Sequence, residues 1–234
     1  MKSMHKLAIM GAMEEEITPL LSYFTNVKKI SFAKNTYYEA KYNDIDIVVA
    51  HSKIGKVFSA LTATTMIEKF GCEMLLFSGV AGGINPNLQI GDLIVAEKLS
   101  QHDLDITAFG HPFGYVPGGS VYTYTDSKLR KIALEVAKNN NIKIIEGIIA
   151  TGDQFVADEV RKSFIEKTFN ADALEMEGAS VATVCDSLDI PCLILRAISD
   201  TADMDANFNF NEFLQQSADR SASFLIKIID ELKQ

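Results

Sequence analysis

Acidic residues follow three short apolar segments of this chain. Glu14, Glu15 and Glu16 come after residues 7–10, Glu177 comes after residues 173–174, and Asp200 comes after residues 192–195. In open α/β sheets, ligands bind at the carboxyl ends of the strands. A carboxyl group there can protonate a leaving group or bind sugar hydroxyls, whereas in mid-strand it would be a buried charge without a partner. The pattern therefore predicts one site, assembled from the whole chain around three carboxyl groups.

Other segments place glycine, aromatic and paired acidic residues near predicted strand ends. Residues 79–83 are rich in glycine, which lets a ligand approach the backbone closely or simply forms a turn. Their spacing fits neither a dinucleotide fingerprint nor a P-loop. Phe155 follows a predicted strand end, where it can cover a flat ligand or belong to the core. Strand alternation would put Glu175 and Glu177 on one side.

The elements that must position these residues follow from the apolar pattern. The predicted strands are residues 7–10, 45–50, 74–78, 93–96, 144–151, 173–175 and 192–197, and residues 37–42 form a hairpin with the second of them across Asn43-Asp44. Helical stripes cover residues 129–137, 181–188 and a last helix that starts near Asn209. Most strands lack strict alternation, which indicates burial on both faces. The order predicts a three-layer α/β/α sandwich with a central mixed sheet.

Length and charge limit the possible functions. The chain has 234 residues and no linker-like stretch, so we expect one domain over residues 1–234. A formal charge of −9 argues against nucleic acid and anionic membrane surfaces as partners. No apolar run is long enough to span a membrane, and residues 1–6 lack the apolar core of a signal peptide. These features predict a cytoplasmic protein.

Cysteine and histidine usage gives no sign of a metal site. Cys72, Cys185 and Cys192 have apolar neighbours, which favours small buried side chains in a reducing compartment. The four histidines lack the close spacing of zinc ligands. We therefore expect no metal.

Five short segments carry the candidate residues in a fixed order. They are Gly11-Ala12-Met13-Glu14-Glu15-Glu16, Ser52-Lys53-Ile54-Gly55-Lys56, Gly79-Val80-Ala81-Gly82-Gly83, Glu175-Met176-Glu177 and Arg196-Ala197-Ile198-Ser199-Asp200. In order and spacing they resemble the 5′-methylthioadenosine/S-adenosylhomocysteine nucleosidases of the purine nucleoside phosphorylase/uridine phosphorylase superfamily. The resemblance covers nearly the whole chain from Lys6 onward, and the family's nucleoside phosphorylase-type α/β sandwich agrees with the element pattern.

The resemblance implies hydrolysis of the N-ribosidic bond of methylthioadenosine and S-adenosylhomocysteine without a cofactor. In the family, the aspartate that matches Asp200 protonates adenine N7, the glutamate that matches Glu16 activates water, and the one that matches Glu177 binds ribose hydroxyls. This is the two-carboxylate logic of inverting glycoside hydrolysis, applied to a sugar–base bond. Relatives act in methionine salvage and methyl-cycle recycling, and some cleave 6-amino-6-deoxyfutalosine in menaquinone synthesis.

The same resemblance assigns the binding residues. Phe155 would stack on adenine, backbone groups at Val156 would bind its edge, Ser199 would orient Asp200, and Met176 would lie against the ribose. Met13, Ile54 and Phe210 would line the 5′-alkylthio pocket, and Gly82 and Arg196 complete the substrate-binding set. Val80 stands where relatives commonly have serine, and residues 203–208 have no assigned role.

A second subunit would complete this pocket. The residues that match the partner's contribution are Phe109, His111 and Pro117, with histidine where relatives often have tyrosine. Their loop is aromatic and broken by glycine and proline, so it would expose much apolar surface in a monomer. The resemblance and the loop both favour a homodimer.

Two other functions are open to the same fold. A purine nucleoside phosphorylase needs cationic or N–H donors for phosphate, but the loop after the first strand offers three glutamates and no arginine. A non-catalytic binding protein could lose its acid or base, yet Glu16, Glu177 and Asp200 are all present. The sequence therefore favours hydrolysis, with the substrate open among 5′-substituted adenosines, including 5′-deoxyadenosine and 6-amino-6-deoxyfutalosine.

Overall fold

A ten-stranded mixed sheet forms the centre of the computed structural model, which describes residues 6–201 and 206–232. The strands are β1 (Lys6–Gly11), β2 (Thr25–Phe32), β3 (Asn35–Tyr42), β4 (Ile45–His51), β5 (Met74–Gly83), β6 (Leu93–Gln101), β7 (Thr123–Tyr124), β8 (Ile144–Thr151), β9 (Ala173–Glu175) and β10 (Cys192–Thr201). The helices are α1 (Glu14–Leu21), α2 (Lys56–Thr64), α3 (Ser127–Asn139), α4 (Glu159–Phe169), α5 (Gly178–Ser187) and α6 (Ala206–Glu231). A π-helical segment, Thr65–Lys69, continues α2.

Five strands of the sheet close into a ring. β5 pairs with β10, β10 with β6, β6 with β8, β8 with β9, and β9 again with β5. β1 and β4 continue from β5 in parallel, and β3 and β2 extend the edge in antiparallel order. Because β9 runs antiparallel to β5, Leu174 lies opposite Gly82. Closure of the ring, rather than one shared edge, thus brings the segments around Glu177 and Asp200 together.

Helices cover both faces of the sheet, as the apolar pattern of the strands requires. In β1, Ala8 and Met10 belong to the core on the side of α2 and α5, while Leu7 and Ile9 belong to the core on the side of α1, α3 and α6. All four side chains are fully buried. Strands buried on both faces need no alternation of polar residues. The predicted three-layer α/β/α sandwich with a mixed sheet is confirmed.

Three strands extend well past their predicted ends, and one of them is β6, which continues to Gln101. β5 continues through the glycine-rich segment to Gly83, and β10 continues past Asp200 to Thr201. The glycine-rich segment is therefore strand rather than turn, since its backbone pairs with β9 and β10. The hairpin across Asn43-Asp44 is confirmed, with Tyr42 opposite Ile45.

Some of the elements were not predicted from the sequence, and the start of α6 was misplaced. β2, β7 and α4 were not predicted, because β2 is mostly exposed, β7 has only two residues and α4 has little apolar asymmetry. α6 begins at Ala206, so the start predicted near Asn209 is wrong by one turn. Of the variable segment 203–208, residues 203–205 lie outside the described ranges.

The cysteines and the helices bear on two further expectations. All three cysteines are buried and unpaired, as their apolar neighbours predicted. Within residues 6–201 and 206–232, no helix is both long and apolar enough to cross a membrane.

Candidate active site

A cavity of about 290 Å³ opens beside the ring of strands and collects most of the predicted site residues. Its wall includes Met13, Glu16, Ile54, Gly82, Phe155, Val156, Met176, Glu177, Ser199, Asp200 and Phe210. Ala12, Val80, Ala81, Gln154, Leu174 and Glu175 also line it. Of these, Ala12, Ala81, Gln154 and Leu174 were given no role from the sequence, although Ala12 and Ala81 lie within the quoted segments and Gln154 and Leu174 lie next to predicted site residues.

Glu16 is the member of the acidic triplet that turns into the protein. It is the third residue of α1, where Glu14 and Glu15 are exposed and Glu16 is buried. Its Oε2 accepts the N–H groups of Ala12 at 2.5 Å and Met13 at 3.1 Å, and its Oε1 accepts that of Val80 at 3.0 Å. Burial raises the pKa of Glu16, while the Arg196 charge and these three N–H groups oppose the rise.

Two glycines of β5 make room for the acidic side chains. A Cβ at Gly79 would lie 2.7 Å from Glu16 Oε1, and a Cβ at Gly82 would lie 2.9 Å from Asp200 Oδ1. Any side chain at either position would displace a carboxyl group. The glycines thus let protein carboxylates, and not only a ligand, approach the backbone.

Asp200 sits at a β-bulge near the end of β10. Ile198 pairs with Ala81 and Asp200 with Gly82, so Ser199 is an extra residue between them. Bulges next to active sites re-aim side chains, and here Asp200 lines the cavity. The Ser199 hydroxyl donates to Asp200 Oδ2 at 3.0 Å. Burial raises the pKa of Asp200, and the Ser199 hydrogen bond only partly opposes it, which suits a proton donor.

Arg196 lies behind the cavity wall, so the structure does not bring it to a position where it can touch a ligand. It is 1% exposed, and its Nη2 donates to Glu175 Oε2 at 2.7 Å. Its Nη1 donates to the carbonyl of Leu195 at 3.0 Å, and its guanidinium lies over the Phe77 ring at 4.0 Å. The predicted binding residue is therefore part of a buried ion pair that supports the site.

Glu175 and Glu177 have different surroundings, which strand alternation did not predict. β9 ends at Glu175, and Glu177 precedes α5. Glu175 accepts hydrogen bonds from Thr151 Oγ1 at 2.5 Å and Gly178 N–H at 2.7 Å, in addition to Arg196. Glu177 Oε1 accepts the Gly55 N–H at 2.8 Å. Burial, followed by the neighbouring Glu175 charge, raises the pKa of Glu177 to about 8.

Apolar side chains form the other walls of the cavity. Phe155 and Phe210 meet edge to face, with ring centroids 5.6 Å apart. Phe155 is 44% exposed, whereas Val156 is buried. Met13, Ile54 and Met176 add unbranched or aliphatic surface. The cavity therefore offers flat and flexible apolar contact beside four carboxyl groups.

The structure does not bring the predicted partner-subunit residues to the cavity of their own chain. Phe109 is 81% exposed, and His111 and Pro117 are also exposed. The His111 ring stacks on Tyr115 with centroids 4.5 Å apart. In the part of the chain described here, none of the three lines the cavity.

Comparison with known proteins assigns the chain to a family. A family model described as the phosphorylase superfamily matches residues 6–230. An aminodeoxyfutalosine nucleosidase from Campylobacter jejuni is 59% identical over 229 residues, which cover 98% of this chain and 100% of that protein. A 5′-methylthioadenosine/S-adenosylhomocysteine nucleosidase from Anoxybacillus flavithermus is 35% identical, with coverage of 97% and 99%.

A solved structure agrees in the fold. The 5′-methylthioadenosine/S-adenosylhomocysteine nucleosidase of Helicobacter pylori superposes with a TM-score of 0.96 at 46% identity, over 98% of this chain and 100% of that one. The expected nucleoside phosphorylase-type fold is therefore confirmed. The chain belongs to the phosphorylase superfamily and is one of its nucleosidases, enzymes that hydrolyse N-glycosidic bonds.

Proposed function

We propose that this nucleosidase hydrolyses the N-ribosidic bond of adenosines that carry a 5′ substituent. Its substrates would be methylthioadenosine, S-adenosylhomocysteine, 5′-deoxyadenosine and 6-amino-6-deoxyfutalosine. The names of its relatives support both thioether nucleosides and aminodeoxyfutalosine. The Helicobacter pylori structure holds a 4-aminopyrrolopyrimidine joined to a hydroxypyrrolidine with a propynylthiomethyl group. These three parts correspond in order to the base, the sugar ring and the 5′ thioether of a nucleoside.

One observation carries this proposal: two buried carboxyl groups of one cavity, both with a pKa raised by burial, have different hydrogen-bond partners. Glu16 accepts three backbone N–H groups and feels the Arg196 charge, which favour its ionised form. Asp200 is buried, and among residues 6–201 and 206–232 the Ser199 hydroxyl is the one group that lowers its pKa. Paired carboxyl groups in such different environments are the usual arrangement of a general base and a general acid.

The proposed reaction then follows from the roles of the three acidic residues. Asp200 donates its proton to adenine N7 as the bond between C1′ and N9 breaks, so that adenine leaves as a neutral base. The ribosyl group passes through an oxocarbenium-like state, which the negative cavity stabilises. Glu16 removes a proton from water as its oxygen bonds to C1′. Glu177 accepts hydrogen bonds from the ribose hydroxyls.

The apolar residues supply the binding surface in this proposal. Phe155 stacks on adenine, backbone groups at Val156 and the strand at Gly82 meet its edge, and Met176 lies against the ribose. Met13, Ile54 and Phe210 receive the uncharged part of the 5′ substituent. Apolar contact contributes about 25 cal/mol for each Å² removed from water.

Hydrolysis is favoured over phosphorolysis by the charge of the cavity. Among the described residues that line it, none is lysine or arginine, whereas three are glutamate and one is aspartate. A phosphate ion beside these groups would lack the cationic donors that it requires.

The product of the reaction tests this proposal. We expect adenine and 5-methylthioribose from methylthioadenosine, at a rate that does not depend on added phosphate. Release of a ribose 1-phosphate would assign the chain to the phosphorolytic branch instead. Comparison of kcat/KM across the four nucleosides would then rank the substrates, and a lack of turnover of all four would overturn the proposal.

The quaternary structure and location belong to the same proposal. A homodimer would bring Phe109, His111 and Pro117 of one subunit to the 5′ end of the partner's cavity. Support comes from the exposed Phe109 and from the exposed apolar side chains of α2, namely Val57, Phe58 and Leu61. We also propose a cytoplasmic location, since the three cysteines are free.

A further inference from the structure

The loop before α2 donates a backbone hydrogen bond to the Glu177 carboxylate. Asp153 accepts a hydrogen bond from the first residue of α2 and so fixes the position of that loop. Gly55 N–H donates to Glu177 Oε1 at 2.8 Å, and the next residue, Lys56, donates its N–H to Asp153 Oδ1 at 2.8 Å. Asp153 follows β8, far from Lys56 in sequence. The adjacent amides of Gly55 and Lys56 are thus bound to two carboxylates that come from different parts of the chain.

Asp153 is in turn held by a third loop. Its N–H donates to Asp103 Oδ2 at 2.8 Å, and Lys56 Nζ donates to Asp103 Oδ1 at 2.7 Å. The side chains of Lys56 and Asp103 are 19% and 18% exposed. Burial tends to raise the pKa of Asp103, but the Lys56 ammonium and the Asp153 N–H outweigh it and hold that pKa below its usual value. Lys56, Asp103 and Asp153 therefore form a closed ring of hydrogen bonds.

The fit between Gly55 and Asp153 is tight. Gly55 has a φ of +100°, and a Cβ added to it would lie 3.0 Å from Asp153 Oδ1. Only glycine adopts this backbone conformation without strain. The direction of the Gly55 N–H toward Glu177 therefore depends on where Asp153 holds the loop.

We propose that Asp153 is a positioning residue that keeps the Gly55 amide against Glu177 and so orients the carboxylate that binds the ribose. This inference rests on the proposed role of Glu177. Asp153 itself is exposed and does not line the cavity. Its effect on the reaction is exerted through Lys56 and Gly55.

An electrostatic effect of Asp153 would have the opposite sign to a positioning effect. The groups that face Glu177 are Glu175 from β9, Arg196 from β10, Glu16 from α1 and the Gly55 amide. Loss of the Gly55 hydrogen bond would raise the pKa of Glu177, because that bond favours the charged form. Loss of the Asp153 charge alone would lower the pKa of Glu177, since like charges disfavour ionisation.

These opposite signs define the experiment. We would measure kcat and KM for methylthioadenosine against pH in Asp153→Ala, Asp153→Asn and Asp103→Ala. We expect Asp153→Ala to raise KM about tenfold and to move the acid limb of kcat/KM to higher pH, because the loosened amide binds Glu177 less well. Asp153→Asn keeps an oxygen that accepts the Lys56 N–H, so it should stay within about twofold of the wild type. Asp103→Ala should shift both quantities in the same direction as Asp153→Ala.

A matched control separates this effect from ordinary helix capping. Asp126 is a half-buried carboxylate that likewise accepts backbone N–H groups at a helix start, from Lys128 and Leu129 of α3. Asp126→Ala should lower the unfolding temperature as Asp153→Ala does, without a change in KM or in the pH profile.

Each outcome bears on the inference. A wild-type KM and pH profile in Asp153→Ala would overturn it, as would an acid limb that moves to lower pH in both Asp153 variants. Glu177→Gln tests the underlying role: unchanged KM in that variant would refute the assignment of Glu177. An impaired Glu177→Gln with a normal Asp153→Ala would refute the positioning role of Asp153 alone.

Discussion

At the scale of residues, burial and hydrogen bonds give different properties to side chains of the same type. Glu16 is buried among three N–H donors and near a guanidinium, while Asp200 has one hydroxyl. The same carboxyl group can therefore act as a base at one position and as an acid at the other. The identity of the neighbours, rather than that of the residue, determines the role.

Replacement of Asp200 tests the proposed proton donor. Asp200→Asn keeps the shape of the side chain but has no proton to deliver to adenine N7. The proton transfer occurs as the C–N bond breaks, so kcat should fall by about 10²- to 10⁴-fold while KM changes little. Single-turnover release of adenine from methylthioadenosine would measure the loss. A kcat above about a tenth of the wild-type value would place the acid elsewhere.

Ser199 should tune the pH dependence of the reaction. Its hydroxyl donates to Asp200 and favours the ionised form, so Ser199→Ala should raise the pKa of Asp200 further. Activity that needs the protonated acid is lost as pH rises through this pKa, so the basic limb of kcat/KM should move to higher pH.

Ser100 offers a matched control for this change. It is a buried serine whose hydroxyl has no hydrogen-bond partner among residues 6–201 and 206–232. Ser100→Ala should leave the pH profile unchanged. A basic limb that stays in place in Ser199→Ala, or moves to lower pH, would contradict the assignment of Asp200 as the acid.

The sequence located the site residues that follow apolar runs but not those that depend on contacts across the chain. Glu177 and Asp200 were recognisable because each follows an apolar run, and ligands of open α/β sheets bind at the ends of such strands. The pattern alone could not separate Glu16 from Glu14, because only the start of α1 determines which of them is buried. The Arg196–Glu175 pair joins residues of β10 and β9, and no local spacing indicates it.

At the scale of elements, the site depends on irregular strands. The bulge at Ser199 changes the register of β10, and the glycines of β5 admit two carboxyl groups. The predicted ends of β5 and β10 are too early, because the glycines and Asp200 were interpreted as signals that a strand ends. Pairing with β9 and β10 overrides that local preference.

The ion pair between β9 and β10 gives Glu175 a structural role that strand alternation did not indicate. Both side chains of the pair are 1–2% exposed, and loss of one charge leaves the other buried without a partner. Glu175→Gln should therefore lower the free energy of unfolding by about 3–5 kcal/mol, measured by urea denaturation.

An exposed ion pair provides the control. Arg130 and Glu146 also join through a guanidinium nitrogen and a carboxylate, but Glu146 is 38% exposed. Glu146→Gln should lower the free energy of unfolding by at most about 1 kcal/mol. Equal losses of unfolding free energy in the two variants would show that burial of the Glu175 pair does not increase the cost of removing one charge.

At the scale of the whole molecule, several large apolar side chains are exposed to solvent. Val57 and Leu61 on α2 are 75% and 47% exposed, and Phe109 stands free of its own cavity. Val57 and Leu61 are four residues apart and therefore neighbours on one helix face, and exposed apolar patches mark interaction sites. The single sheet is consistent with one domain over residues 1–234, which stays a prediction. The sequence could indicate an interface only through the composition of the loop that holds Phe109, His111 and Pro117.

Disruption of the α2 surface tests the homodimer and its role in catalysis. Leu61→Asp should yield a monomer by light scattering, because a charge buried at an interface lacks a partner. It should also raise KM for methylthioadenosine, since the partner's Phe109 would leave the 5′ pocket. Val27→Asp changes a similarly exposed side chain (45%) on β2 and should keep the oligomeric state.

Phe109→Ala separates assembly from substrate contact. It should remain dimeric yet raise KM for methylthioadenosine by about tenfold, equivalent to ~1.4 kcal/mol of lost apolar contact. The KM for adenosine, which has no alkylthio group, should rise less, because the contact with Phe109 lies at the 5′ end. A fully active monomer at the assay concentration, or equal changes for the two nucleosides, would mean that each subunit completes its own pocket.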